Sequence, residues 1–188
     1  MKNKGKLLGS IIGIILFIIC ISGITYAIYT WKAKYDFIEG SMECFDVNYV
    51  KGSDIGSNEN SEKLYMGSKY TDGLSTSIKM NVNNECGIKK GLGTLYLVTY
   101  EEVDDTLIET GVLSYQILEN GVPLKDGNIT SKGKVSIYND FELTTTERNF
   151  TIYVWINGEY VNEENVNSIV NARYKGEVVA SVKSMEEE

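Results

Sequence analysis

The stretch NFTIYVWI, residues 149–156, decides the fold. Phe150, Ile152, Val154 and Ile156 fall on one side of an extended chain, and Thr151, Tyr153 and Trp155 fall on the other. Unbroken alternation of this kind marks a β-strand with one buried face. The residues are mostly β-branched or aromatic, the types that fit a pleated, half-buried surface.

The same period extends through the chain after residue 37. LSTSIKMNV (74–82) sets Leu74, Ile78, Met80 and Val82 against Lys79 and Asn81. GVLSYQIL (111–118) sets Leu113, Tyr115 and Ile117 against Ser114 and Gln116. EVVASVK (177–183) keeps Val178, Ala180 and Val182 in step. Residues 42–49, 94–100 and 135–143 read as further strands. NNECG, KKGLG, ENG (119–121), KDGN (125–128), SKGK and NG (157–158) read as turns, because Gly and Asn accept positive φ. Strands at this spacing predict an all-β antiparallel sandwich of about seven to nine strands, jelly-roll or immunoglobulin-like. NEENVNSIVNAR (162–173) supports at most one helical turn or a packed loop. KGSDIGSNENS (51–61) reads as an exposed loop.

Composition removes several functions. The chain of 188 residues contains no histidine, so histidine triads and HExxH zinc chemistry are excluded. Its net charge of -8 disfavours nucleic acid and anionic lipid. No spacing among the 26 acids selects a glycosidase pair, and none matches an EF-hand. The acids Glu101, Glu102, Asp104, Asp105, Glu163 and Glu164, and the loop residues Asp54, Asn58 and Glu59, read as solvated loops. No enzyme activity, cofactor or metal is expected.

The chain opens with Lys2, Lys4 and Lys6, followed by an uncharged apolar run over residues 7–29. That length spans a bilayer as a helix, with the lysines in the cytoplasm and the rest outside. Tyr26, Tyr29 and Trp31 suit the interface. Cys20 lies inside the run. The same run also ends like a signal peptide, with Thr25-Tyr26-Ala27 offering Ala27 as the last residue before a cut. Both outcomes stay open. The organisation expected is a signal peptide or anchor helix over residues 1–30, a spacer over 31–36, an extracellular sandwich over 37–184 and an acidic tail over 185–188.

Gly23-Ile24-Thr25-Tyr26-Ala27-Ile28-Tyr29, followed by Phe37-Ile38-Glu39-Gly40-Ser41-Met42, resembles the start of the TasA/camelysin family of Bacillus-type surface proteins. Residues 74–97 fit the style of that family more loosely. More broadly, the chain is similar to one-span surface proteins of low-GC Firmicutes. The resemblance implies cleavage after Ala27 by a dedicated signal peptidase. It also implies a secreted β-sandwich that polymerises into biofilm matrix fibres. Camelysin relatives have been classed as metallopeptidases, a reading that the missing histidine removes here.

Cys44 and Cys86 are the cysteines outside the apolar run. In an exported domain they read as a disulfide, against the alternative of two buried thiols. Tyr153 and Trp155 are candidates for binding a glycan or a partner chain if their face is open; the alternative is that loops or residues 166–170 cover them. Residues 37–49 are apolar on both faces. A strand of that kind completes a neighbour's sheet if the chain is cut after Ala27, and pairs within its own domain if it is not. The function expected is therefore a non-enzymatic, TasA-like structural subunit of the cell surface or matrix, self-associating by strand addition. The alternative is an uncleaved, membrane-anchored adhesion or ligand-binding module.

Overall fold

The structure is a computed structural model that describes residues 44–50, 52–55, 62–85, 87–88 and 90–185. The anchor or signal helix, the spacer, Ala27, Cys20 and Cys86 lie outside the described residues. All described residues belong to the second of two compact units, Glu39–Glu188. Among them, no helix is long and apolar enough to cross a membrane.

In chain order the strands are β1 (Phe45–Tyr49), β2 (Asp54–Ile55), β3 (Glu62–Lys63), β4 (Met66–Gly67), β5 (Leu74–Val82) and β6 (Gly91–Thr99). They continue as β7 (Leu113–Glu119), β8 (Val122–Asn128), β9 (Gly133–Leu143), β10 (Arg148–Asn157), β11 (Arg173–Tyr174) and β12 (Gly176–Ser184). Eight of these are five residues or longer, within the expected seven to nine. One sheet has the order β1-β5-β10-β7-β8, with β4 added parallel to the end of β10. The other has the order β2-β12-β6-β9, and β11 pairs β3 in a short ladder. Every pairing except β4–β10 is antiparallel.

The alternation in residues 149–156 is reproduced in burial. Phe150, Ile152, Val154 and Ile156 are buried, and β10 is a central strand of its sheet. They meet Ile78, Met80 and Val82 of β5, Leu113 and Ile117 of β7, and from the other sheet Leu95, Leu97, Phe141, Val178, Ala180 and Val182 in one core. Burying each larger side chain contributes about 1.5–3 kcal/mol. Gly91 and Gly93 let aromatic rings lie directly on the β6 backbone. A Cβ at Gly93 would run into the Phe141 ring, and one at Gly91 would run into the Phe45 ring.

One end of the core is closed by a cation. The Arg148 guanidinium lies 5.0 Å from the centres of both the Phe141 and Phe150 rings. It donates to the Glu119 carboxylate at 2.6 and 2.8 Å and to the Glu142 carbonyl at 2.9 Å. The hydrogen bonds from Arg148 hold the Glu119 carboxyl below its ordinary range.

One local expectation is corrected. KDGN, read as a turn, is the second half of β8, a strand joined to β7 by the tight turn Asn120-Gly121, where φ is 50° and 82°. Pro123 is tolerated because β8 is an edge strand. Residues 162–173 contain one 3-10 turn, Val166–Ser168, followed by the buried Ile169.

The free edges bear on strand addition. β8 carries Pro123, Lys125 and a register shift, and β9 carries two register shifts. Such features discourage edge-to-edge pairing. β1 is paired within its own domain, Phe45 opposite Val82 through Tyr49 opposite Ile78.

Candidate functional site

The outer face of the four-stranded sheet holds a shallow groove of about 390 Å³, within the range of ligand clefts. The alternation that sends Leu95, Leu97, Val178 and Ala180 inward sends Leu92, Thr94 and Tyr96 of β6 and Ser181 and Lys183 of β12 outward. Cross-strand register sets them in rungs: Val179–Tyr96–Ser136, Ser181–Thr94 and Lys183–Leu92–Glu142. The groove thus offers one aromatic ring among hydroxyl, amide and charged groups.

The wall on β9 depends on broken alternation. Gly93 pairs Phe141, Leu95 pairs Tyr138 and Tyr96 pairs Ser136, with register shifts between them. Ile137 and Tyr138 consequently both turn toward the core, where Tyr138 stacks on Phe141 at 4.8 Å. Asn139 and Asp140 both line the groove. Asp140 has φ of 49°, a left-handed conformation uncommon outside glycine. Bulges often re-aim side chains beside binding sites. Ser136 Oγ donates to Asn139 Oδ1, and Lys183 Nζ stands 3.3 Å from Asp140 Oδ1. Lys134 Nζ lies over the Tyr96 ring, 4.2 Å from its centre.

At the other end of the same face, Glu177 is only 7% exposed and lies opposite Asp54 of β2. Ser53 Oγ donates to it at 3.4 Å. Tyr100, hydrogen-bonded to Glu177, has its hydroxyl pKa pushed well up by burial, then by the charges of Glu177 and Asp54. Burial also raises Tyr49, whose oxygen accepts from the Ala180 N–H at 3.2 Å. This polar cluster fixes the β2 end of the sheet.

The residues singled out in the sequence lie elsewhere. Tyr153 and Trp155 do face away from the core, but the 3-10 turn Tyr70–Asp72 covers them. The Tyr70 ring meets Tyr153 at 5.2 Å and Trp155 at 6.3 Å, both edge-on. Trp155 is 7% exposed, and its buried indole N–H has no hydrogen-bond partner among the described residues. The pair therefore does not form an open partner face: Tyr153 is half-buried and Trp155 is covered.

The acids at 101–105 are used structurally. Asp104 Oδ1 accepts from the Thr106 N–H at 2.9 Å and caps the short helix Asp105–Glu109. Lys132 pairs Asp105 at 2.6 Å, and Lys175 stands 3.6 Å from Glu102. Asn162 Oδ1 accepts from the Glu164 N–H. Among the described residues, no group of three acids or cysteines is placed to hold a metal. Cys44 precedes β1, and its carbonyl accepts from the Asn83 N–H at 2.9 Å, which brings the segment after β5 alongside it.

Tyr96, Asn139 and Asp140 were not singled out from the sequence, although a signal for them exists. SIYNDFEL (136–143) has an apolar doublet, Ile137-Tyr138, beside a polar doublet, Asn139-Asp140. Such doublets in a strand are what a bulge leaves behind.

No protein-family model and no curated protein matches the chain. Among solved structures, the chain is similar to the CBM36-1 domain of a multidomain xylanase from the hindgut metagenome of Trinervitermes trinervoides. The identity is 8%, over 77% of this chain and 98% of that one, with a TM-score of 0.34. It is also similar to a carbohydrate-binding module, CBM36, in complex with calcium and xylotriose, at 8% identity over 74% and 99%, TM-score 0.32. A third similarity is to a family two carbohydrate esterase from Clostridium thermocellum in complex with cellohexaose, at 9% identity over 76% of this chain and 34% of that one, TM-score 0.32.

Proposed function

We propose that the domain is a non-catalytic carbohydrate-binding module and that the groove on its four-stranded sheet takes the ligand. The observation that carries this reading is the Tyr96 ring set beside Ser136, Asn139 and Asp140 by the bulges in β9. A sugar has apolar C–H faces and a rim of hydroxyls that donate and accept. Tyrosine offers an apolar face, and serine, threonine and asparagine side chains both donate and accept. Catalysis gains no comparable support: the chain has no histidine, and Asp140 is the one carboxylate among the residues lining the groove.

Tyr96→Ala is expected to weaken glycan binding about tenfold, the size of one lost aromatic contact, with an unchanged melting temperature. Titration of full-length protein against a glycan identified on an array measures this. Equal affinity of the two proteins would place the ligand elsewhere.

The location that accompanies this reading is the outer face of a membrane or the surrounding matrix, and it rests on residues 7–29. We infer also that Cys44 pairs with Cys86. Support comes from the approach of Asn83 to Cys44 and from Cys44 being bonded through its sulfur. Intact mass of protein from membrane and medium fractions tests both. A chain starting at Met1 in membranes, lighter by the two thiol hydrogens before reduction, is expected of a tethered module. A chain starting at Ile28 in the medium favours the processed, assembling subunit instead.

A further inference from the structure

We infer that residues 67–73 form a strap that opens to admit an uncharged glycan onto Tyr153 and Trp155, a second site on the sheet opposite the groove. The strap's backbone is attached at its two ends. β4 holds Gly67 opposite Asn157, and β5 begins at Leu74, opposite Val154. Between these attachments, residues 68–72 make no hydrogen bond or ion pair to the rest of the described residues. The Asp72 N–H donates to the Lys69 carbonyl at 3.1 Å and the Gly73 N–H to the Tyr70 carbonyl at 3.0 Å, so both bonds stay inside the strap. No residue of the turn Tyr70–Asp72 is buried. The Tyr70 ring, edge-on to Tyr153 and Trp155, holds the strap closed. Segments with few buried contacts and few hydrogen bonds to the body open most easily.

The closed arrangement also carries a cost. Trp155 is 7% exposed, and its indole N–H is buried without an acceptor among the described residues. A buried donor left unpaired is unfavourable, and a water or ligand oxygen that reaches it removes the penalty.

The covered face suits a sugar. Register sets Tyr153 between Ser75 and Gln116, and Trp155 beside Ser114, whose hydroxyl donates to Asn128 at 3.0 Å. Two rings at alternate positions of one strand, flanked by hydroxyl and amide groups, match the C–H faces and hydroxyl rim of a sugar. The freed indole N–H donates to a sugar oxygen. β10 and the residue after it carry no charged side chain between Arg148 and Glu159. Lys69 and Asp72 lie on the strap and move with it. Lys79, farther along the face, is paired with Glu147 at 2.7 Å, and Asp126 of β8, opposite Gln116, stands at the border.

Full-length Trp31→Phe/Tyr96→Ala protein isolates this site, because Trp155 is then the single tryptophan and the groove has lost its ring. Tyr70→Ala and Gly67→Ala are each added to that parent. The first removes the ring that holds the strap, and the second places a Cβ 2.8 Å from the Asp72 Cβ and spreads the strap's base. Acrylamide quenching of Trp155 emission reads opening. Titration with cellohexaose, xylohexaose, mannohexaose and chitohexaose reads binding. Trp155 is expected to be shielded in the parent and quenched several-fold more in both strap variants. At least one hexasaccharide is expected to shift Trp155 emission, with an affinity about tenfold higher in the strap variants, because a larger share of the molecules is open. Trp155 that stays shielded in both variants, a binding affinity that Tyr70→Ala lowers, or no emission shift with any of the four sugars overturns the inference. Each of these results leaves the groove standing, since the groove is tested on protein that keeps Tyr96.

Discussion

Phe150→Ala is expected to lower the unfolding free energy by about 3–5 kcal/mol, as large an effect as a single core substitution commonly has. Phe150 has no exposed surface and sits on β10, the strand paired on both sides with β5 and β7. Its ring lies 5.0 Å from Phe141 and 6.1 Å from Tyr138, and it forms one of the two surfaces under Arg148. Alanine would remove the ring, leave a cavity between two sheets that cannot close on it, and strip the support from a cation. Domains of this size are commonly stable by only about 5–15 kcal/mol, so the loss is a large share of the total. Equilibrium denaturation with urea would show it as a lower midpoint at an unchanged slope. Phe150→Leu, which keeps most of the volume, should cost clearly less. A loss below about 1 kcal/mol for the alanine variant would mean that this ring is not the centre of the core.

Arg148→Met is expected to cost about 2–3 kcal/mol near neutral pH, because a two-pronged charge-assisted contact is lost and a half-buried carboxylate is left behind. The side chains of Arg148 and Glu119 are 22% and 23% exposed, so water screens the pair only partly. The pH dependence identifies the cause. The folded pKa of Glu119 lies below its unfolded value. Its contribution is therefore fully present above the ordinary glutamate range, near pH ~4.3, and is lost as pH falls through the depressed folded value. Wild type should lose this increment on acidification, while Arg148→Met, which has already lost it, should not. The gap between the two proteins should narrow toward low pH. Adding Glu119→Gln to Arg148→Met should recover part of the loss at neutral pH. A gap that stays constant with pH would assign the effect to ring contacts alone.

How far the sequence could be read depended on what each segment buries. NFTIYVWI was legible because β10 has one buried face, and burial is what alternation records. GVPLKDGN was not, because β8 is exposed along nearly all its length and an edge strand with two wet faces leaves no pattern. The Asn120-Gly121 turn before it was the available signal, and Pro123 argued in the opposite direction until the strand's place at an edge was known. That Trp155 is covered was one of the two readings, but the segment that covers it was not identifiable. The cover comes from the 3-10 turn at Tyr70, a segment far earlier in the chain that the pairing of β4 with β10 brings alongside. The groove was hidden for a related reason. Alternation says that Tyr96, Ser136 and Ser181 point away from the core, but only the order β12-β6-β9 places them side by side.

That strand order also ranks the events of synthesis. β12, which follows every other strand along the chain, occupies the middle of its sheet between β2 and β6. A nascent chain that has emerged as far as residue 175 possesses both flanks of that sheet and no strand to join them. It must therefore leave the ribosome with one edge of β6 unpaired, and it closes its core only when residues 176–184 bring Val178, Ala180 and Val182. Long-range pairing of this kind folds slowly and leaves apolar surface open to aggregation in the interval. A chain truncated before residue 176 should thus be cut readily by proteases, and the full chain should resist them.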